Sequence, residues 1–327
     1  MPRATPPFDL TPPVLLAPMA GITDLPFRSL VRRFGAGLVV SEMVASQDML
    51  NARPGTLEKA ELGLGIEGTA VQLAGREAAP MAEAARMIEA QGAKVIDINM
   101  GCPAKKVTQG YSGSALMKTP DHALSLIEAV VGAVSVPVTL KTRLGWDDNC
   151  LNAADIARRA EAVGITMITI HGRTRCQFYK GRANWSAISE VKEAVSIPVI
   201  ANGDITDAQT ARDALRLSGA DGVMVGRAVR GQPWLLSQIA HEVFDAPAPQ
   251  VPNAAEFADL VCGHYEDILA FYGADLGIRV ARKHLGWYMD TCATPLGLRR
   301  AVLTMDQAKA VLRLLPDAIA SPTQCAA

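Results

Sequence analysis

Eight short apolar, β-branched runs recur through the chain, and each turns polar or glycine-rich at its C-terminal end. They are VLLAPM (14–19), LVVSEM (38–43), AVQLAG (70–75), VIDINM (95–100), PVTLKT (137–142), MITIHG (167–172), PVIANG (198–203) and GVMVGR (222–227). Runs that begin near-continuously apolar mark strands covered on both faces, the condition of a parallel sheet with helices outside it. Helical patterns fill the gaps. Residues 23–35, TDLPFRSLVRRFG, open on a Thr/Asp cap signal and close on glycine. Residues 77–92, 119–133, 152–164 and 206–219 carry apolar positions with helical periodicity. AVSVPVTLK (133–141) and AVSIPVIAN (194–202) repeat one helix-to-strand junction, as βα units in series would.

Strands and helices alternating eight times predict an α/β chain folded as a (β/α)8 TIM barrel. An open doubly wound sheet is the competing arrangement. Against it, the first βα turn, APMAGITD (17–24), lacks the GxGxxG fingerprint of a dinucleotide fold. FDAPAPQVPN (244–253) then reads as a proline-rich linker. Beyond it the pattern is helical over 254–273, 275–292 and 305–320. The expected organisation is a catalytic barrel over 1–244 and a small C-terminal helical domain over 253–327.

Composition narrows the function classes. A chain of 327 residues, 49% hydrophobic, buries a core without covalent staples. The net charge of −1 neither favours nor excludes nucleic acid, so any basic surface must be local. Cysteines stand at 102, 150, 176, 262, 292 and 325, with no CxxC pair and no zinc-ligand spacing; free thiols and no metal are expected. Such cysteine usage suits a reducing compartment. The proline-rich start is unlike a signal peptide, and no 18-residue apolar run exists. A cytoplasmic protein with no membrane segment is expected.

In a (β/α)8 barrel the chemistry sits at the C-terminal ends of the strands. Those ends offer Pro18 and Met19, Glu42, Gln72, Asn99 with Cys102, Lys141 and Arg143, His171 and Arg173, Asn202–Asp204, and Gly226–Arg227. A single Lys141 or His171 at the end of an apolar strand would be an ordinary structural hydrogen bonder. Both together, beside a cysteine and two glycine-rich turns, indicate an active site. Gly203 and Gly226 lie after the seventh and eighth strands, the usual phosphate position of such barrels, where backbone N–H groups approach an anion closely. Arg227 agrees with that reading. Cys102 lies on a sharp turn between Gly101 and Pro103, which lifts its thiol toward the barrel axis. A packed structural cysteine is the plain alternative. A cysteine of ordinary pKa, about 8.5, is mostly protonated at neutral pH and can give a proton; a nucleophile needs a depressed pKa. The sequence leaves both roles open.

LAPMAGITDLPFR, VSEM, DINMGCPAKKV, GSAL, LKTRLGW, TIHGRT, IPVIANGDI and GVMVGRA resemble the tRNA-dihydrouridine synthases, in that family's order, from about residue 15 to about 290. RVARKHLGWYM (279–289) resembles the helical domain of the bacterial B subfamily. The resemblance implies an FMN enzyme that reduces a D-loop uridine of tRNA with NADPH, position 17 for a B-type enzyme. It implies FMN contacts from Ala17, Pro18, Met19, Gln72, Lys141, His171, Asn202, Gly203, Asp204, Gly226 and Arg227, with Asn99 on the flavin or the uracil. Hydride would reach C6 of the uracil, and Cys102 would protonate C5.

Within 279–300 there are five basic residues and one acid. On a helical wheel Ile278, Ala281, Leu285, Tyr288 and Met289 share an arc, with Arg279, Arg282 and Lys283 on its flank. Such a flank is usually a solvated face. The resemblance makes it a tRNA surface, with Lys105, Lys106 and Arg173 as further expected contacts. No protein partner is implied, and a monomer is expected. The rival readings are a flavin barrel for a free pyrimidine, an aldolase or isomerase using Lys141, and a non-catalytic tRNA-binding protein. The helical domain argues against the first, and protein colour separates the second.

Overall fold

The computed structural model describes residues 7–53, 56, 60 and 69–319. Residues 1–6 of the proline-rich start and Cys325 lie outside them. The strands are β1 (Val14–Leu16), β2 (Val39–Val40), β3 (Val44–Ala45), β4 (Thr69–Ala74), β5 (Val95–Met100), β6 (Val138–Arg143), β7 (Met167–His171), β8 (Val199–Asn202) and β9 (Gly222–Val225). All pair in parallel, and the sheet closes because β2, at one end of the order beside β1, also pairs with β4 near the other end. The LVVSEM run holds β2, and β3 begins at the residue after it. β2 pairs with Thr69 and Ala70, and β3 with Leu73 and Ala74 of the same neighbour, so together they make one stave. Between them the Ser41 hydroxyl accepts the Gln72 N–H at 3.0 Å and donates to the Glu42 carbonyl, replacing part of the ladder. Eight staves result, and the TIM barrel expected from the sequence is the fold.

Around the staves run α1 (Leu25–Arg33), α2 (Ser46–Leu50), α3 (Ala78–Ala90), α4 (Lys105–Thr108), α5 (Pro120–Val131), α6 (Ala153–Val163), α7 (Ser189–Ala194), α8 (Ala208–Ser218) and α9 (Leu235–Phe244). Local chemistry sets their ends. Asp24 caps α1 by accepting the Phe27 N–H. Asp207 and Thr210 form a reciprocal capping box on α8. Gly164 and Gly219 end α6 and α8 in the left-handed conformation.

Two apolar layers hold the barrel. Strand faces pack outward on the helices through residues such as Leu16, Ile98 and Ile168, with Leu236 among the helix residues they meet. A smaller core fills the barrel interior with Leu15, Val40, Val95, Met167, Ile200 and Met224, and Phe8 and Leu10 close it below. This core occupies the lower interior, so polar side chains take the upper layer.

The chain then forms α10 (Ala254–Tyr272), α11 (Ala274–Thr291), α12 (Leu296–Thr304) and α13 (Ala308–Ile319). Asn253 and Glu256 build a capping box at the start of α10. α12 occupies a segment whose sequence carries no periodic signal. α10 and α11 approach closely at Gly277, where a Cβ would lie 3.0 Å from Leu269 Cα. These helices have their own core, which also takes in Leu30 of α1 and Trp234 before α9. The bundle is therefore seated on the first and last βα units. Among the described residues no helix is long and apolar enough to cross a membrane.

Phe257 sits edge-on between Trp234, at 5.1 Å, and Tyr288, at 5.7 Å, and is fully buried. Phe257→Ala is expected to lower stability by about 3–5 kcal/mol, the usual loss for a buried aromatic. Urea unfolding followed by tryptophan fluorescence checks it.

Candidate active site

Register places the polar groups. In the parallel ladder Asn99 stands opposite Lys141, Arg143 opposite His171, and His171 opposite Asn202. Consecutive staves thus deliver an amide, an amine, an imidazole and a second amide to one rim. Below them Asp97 is buried and accepts from Gln72 Nε2 and Thr139 Oγ1, both at 2.7 Å. Burial pushes its carboxyl above the usual range, while Gln72, Thr139 and the nearby Lys141 act the other way. Asn99 Nδ2 donates to Gln72 Oε1 at 2.8 Å, and Asn99 Oδ1 accepts the Cys102 N–H at 3.0 Å. A run of side-chain bonds from Asp97 through Gln72 and Asn99 therefore orients the turn that carries the thiol. The Cys102 carbonyl accepts from both Ser114 groups, its N–H at 3.1 Å and its hydroxyl at 2.8 Å. Gly113 is needed beside it, since its φ is +59° and a Cβ there would lie 2.9 Å from the Cys102 carbonyl oxygen.

Above this floor lies a cavity of about 430 Å³. All of the residues expected to hold a cofactor line it: Ala17, Pro18, Met19, Gln72, Asn99, Lys141, His171, Asn202, Gly203, Asp204, Gly226 and Arg227; so does Cys102, which is half-buried. Lys141 Nζ donates to Asn202 Oδ1 at 3.1 Å, and Asn202 Nδ2 donates to the Met224 carbonyl at 2.8 Å. Gly203 is required, because its φ is +111° and a Cβ would lie 2.7 Å from His171 Cδ2. Among the described residues the backbone N–H groups of Gly203, Asp204 and Gly226 have no acceptor. Gly226 itself leaves ordinary van der Waals room for a Cβ. Among the described residues no group of three or more metal-ligating side chains forms.

The electrostatics are one-sided. Burial pulls Lys141 down to about 8, with Arg143 adding to the effect and Asp97 opposing it. Arg143 falls to about 10, again through burial first. His171 lies well below its ordinary value because it is buried and surrounded by Lys141, Arg143, Arg173 and Arg227; its ring is neutral. An anion entering this cavity meets donors whose charge lacks a matching carboxylate. A negative charge on Cys102 would also be felt by both Lys141 and Arg143.

Several expectations change. Arg173, expected as a tRNA contact, is buried: it pairs in two bonds with Asp204 at 3.0 and 2.6 Å, and donates to the Lys180 and Gly181 carbonyls. Asp204, with φ +54°, thereby has its carboxylate committed to Arg173 and the Ala183 N–H. The three cations of α11 do not form one patch. Arg279 is exposed, Arg282 is half-buried and donates to the Met305 carbonyl, and Lys283 Nζ lies over Gly21 at the cavity rim. Lys105 and Lys106 are exposed on α4 just past Cys102. Arg143 joins the cavity, donating to the carbonyls of Gly101, Thr174 and Phe178. Tyr179, unread in the sequence, stands at the mouth between Arg143, 5.6 Å from its ring centre, and Arg227, at 4.9 Å. The FYK stretch follows no apolar run, so only the fold brings it there.

The family model described as Dihydrouridine synthase (Dus) matches residues 15–322. A probable tRNA-dihydrouridine synthase of Rhodobacter capsulatus is 64% identical over 311 residues, 94% of this chain and 95% of its own length. A probable tRNA-dihydrouridine synthase of Rhizobium leguminosarum is 56% identical over 283 residues, 86% of this chain and 87% of its own. A tRNA-dihydrouridine synthase B of Xanthomonas campestris is 45% identical over 311 residues, 95% and 94% of the two chains.

The depressed Lys141 amine has a consequence for stability. Between about pH 8 and 10.5 the unfolded chain keeps a proton that the folded site has shed, so this group's contribution to stability rises with pH there. Below pH 8 a buried charge is held at a penalty. In protein stripped of bound ligand, Lys141→Met is expected to raise stability at pH 7 by about 1–3 kcal/mol, with the gain fading through that window. Melting temperature against pH for both proteins checks it.

Proposed function

The chain belongs to the dihydrouridine synthase family, whose chemistry is that of an oxidoreductase, and from that premise we propose that it reduces uridine in tRNA to 5,6-dihydrouridine, with FMN bound in the barrel mouth and NADPH as reductant. The target is a D-loop uridine, position 17 on the likeness to B-type enzymes. The observation that carries the reading is the cavity itself. Unmatched cations, free backbone N–H groups and a thiol face one space large enough for a flavin.

The residues present fit that cofactor. The N–H groups of Gly203, Asp204 and Gly226 with Arg227 would take the phosphate. Gln72, Asn99 and Lys141 would meet the polar edge of the ring system, and Ala17, Pro18 and Met19 would cover an apolar edge. When bound and reduced by NADPH, FMN supplies a hydride for C6 of the uracil. Lys141 offers a positive charge to an anionic ligand from a buried position, where it acts strongly. His171 is neutral and so adds hydrogen bonding without charge.

Cys102 completes the addition. Negative charge arising at C5 and the C4 oxygen takes the thiol proton at C5, forming a C–H bond and leaving a thiolate. Lys141 and Arg143 stabilise that thiolate until solvent returns its proton. The Asp97–Gln72–Asn99 bonds hold the turn so that the thiol faces the cavity. The uracil must leave its stack to reach this depth, at about a few kcal/mol. Exposed Lys105 and Lys106 just past Cys102, with exposed Arg279 on α11, would hold the tRNA backbone.

Cys102→Ala is expected to keep bound flavin and its reduction by NADPH, and to lose about 10²–10⁴-fold in the rate of tRNA reduction. Single-turnover assays with pre-reduced enzyme measure this, and an unchanged rate would return the thiol to a packing role. A wild-type protein that is colourless and takes up no FMN would overturn the whole reading. Changing Lys105, Lys106 and Arg279 to Glu is expected to weaken tRNA binding while sparing NADPH oxidation. The slope of log affinity on log salt should flatten by about one unit per lost phosphate contact. Filter binding across a salt series checks it.

A further inference from the structure

Between β1 and α1 the chain makes a turn, residues 17–24, whose Ala17, Pro18, Met19, Ala20 and Ile22 wall the cavity. The turn is pinned from several directions. Within it, the Met19 N–H donates to Thr23 Oγ1 at 2.9 Å, and the Thr23 N–H donates to the Met19 carbonyl at 3.0 Å. Arg28 Nη1 on α1 donates to the Thr23 carbonyl at 2.5 Å. The Gly21 N–H donates to the Glu42 carboxylate of the second stave. Asp24 closes the turn: Oδ1 takes the Phe27 N–H at 3.1 Å, and Oδ2 takes the Tyr272 hydroxyl, also at 3.1 Å. Tyr272 is the last residue of α10 and lies 248 positions away.

We propose that Tyr272 is a positioning residue for the reaction: by donating to Asp24 it fixes the β1–α1 turn, and so ties the seat of the helical bundle to the wall of the ligand cavity. The reaction is that of the proposed function; the tie between the bundle and the cavity wall rests on the contacts of the turn. Asp24 is buried and bears its charge in close quarters. Glu42 from the second stave opposes that charge, and Lys283 from α11 favours it. Tyr288 of α11 and Arg28 of α1 complete the surroundings that titrate or carry charge. Burial raises the Asp24 carboxyl to about 6, so the charged form is the one that needs help near neutrality. A hydroxyl donor favours the carboxylate over the acid. Once Asp24 is protonated, its attraction for Lys283 is lost and the turn loosens. Activity therefore acquires an acid limb near pH 6. Removing the donor raises the carboxyl further and moves the limb upward.

The test compares Tyr272→Phe with Tyr265→Phe in the full-length protein. Tyr265 lies on the same helix, its hydroxyl has no partner among the described residues, and it makes no bond to Asp24. Hydrogen exchange by mass spectrometry reads the turn directly, with or without flavin. Exchange over residues 19–24 should quicken in Tyr272→Phe and not in Tyr265→Phe. In the flavin-loaded enzyme the acid limb of tRNA reduction should move up by about one pH unit or more in Tyr272→Phe. Asp24→Asn keeps the helix cap and cannot ionise, so it should show no such limb even if Tyr272→Phe folds poorly. Unchanged exchange at the turn, or a pH profile alike in both tyrosine variants, would overturn the proposal. A colourless wild-type protein would strike the proposed function instead, and leave the exchange comparison to decide whether Tyr272 holds the turn.

Discussion

The closed register of the barrel is the constraint on which the site depends. Strands in parallel pairing have their side chains at matched heights, so residues two apart on one stave meet residues two apart on the next. Here that places Asn99 by Lys141, Arg143 by His171 and His171 by Asn202. A slip of one residue would turn these groups outward among the helices and bring apolar neighbours inward. The apolar layer of Leu15, Val40, Val95, Met167, Ile200 and Met224 opposes such a slip, since it fits the barrel interior only in this register. The polar rim is thus held by hydrophobic packing beneath it.

That rim is built against its own electrostatics. Lys141, Arg143 and Arg173 are all buried within the upper barrel, and Asp204 answers only Arg173. Burying the other two is unfavourable, as the lowered Lys141 and Arg143 values show, and Asp97 below offsets this only in part for Lys141. Carbonyls of Gly101, Thr174 and Phe178 satisfy the hydrogens of Arg143 but do not cancel its charge. A site with this imbalance would gain free energy from a ligand that supplies negative charge.

Much of this was legible in the sequence because it follows from local rules. Strand ends are read from where apolar runs stop, and the C-terminal ends of a barrel's strands share one face. Hence Gln72, Asn99, Cys102, Lys141, His171, Asn202 and Gly226 could be placed at one mouth before any coordinates. Direction within that mouth was not legible. Arg173 lies two residues past the end of β7, yet its side chain is spent on Asp204 and two carbonyls. A helical wheel likewise gives azimuth and not neighbours. Arg279, Arg282 and Lys283 share a flank, but Met305 claims one and the Gly21 turn another. The split of the second stave escaped for a similar reason: Ser41 breaks the ladder with a side-chain bond that the apolar run does not reveal.

The seat of the helical bundle follows from the same geometry. Its core includes Leu30 of α1 and Trp234 before α9, which come from the first and last βα units. Those units flank the β1–β9 seam where the barrel closes. A body packed there sits beside the β1 turn and the Gly226–Arg227 turn, two walls of the cavity, while the Cys102 turn on β5 stays open across the mouth. An added domain anywhere else on the helix ring would leave the mouth equally free but would have no contact with its walls. Seated at the seam, it extends the rim with Lys283 and reaches the interior through Tyr272 and Asp24. A small planar substrate needs neither. Under the proposed function a base presented by a large polyanion would need both, because a body holding the backbone must stand at a fixed distance from the pocket that receives the base. The packing of Leu30 and Trp234 into the bundle core sets that distance.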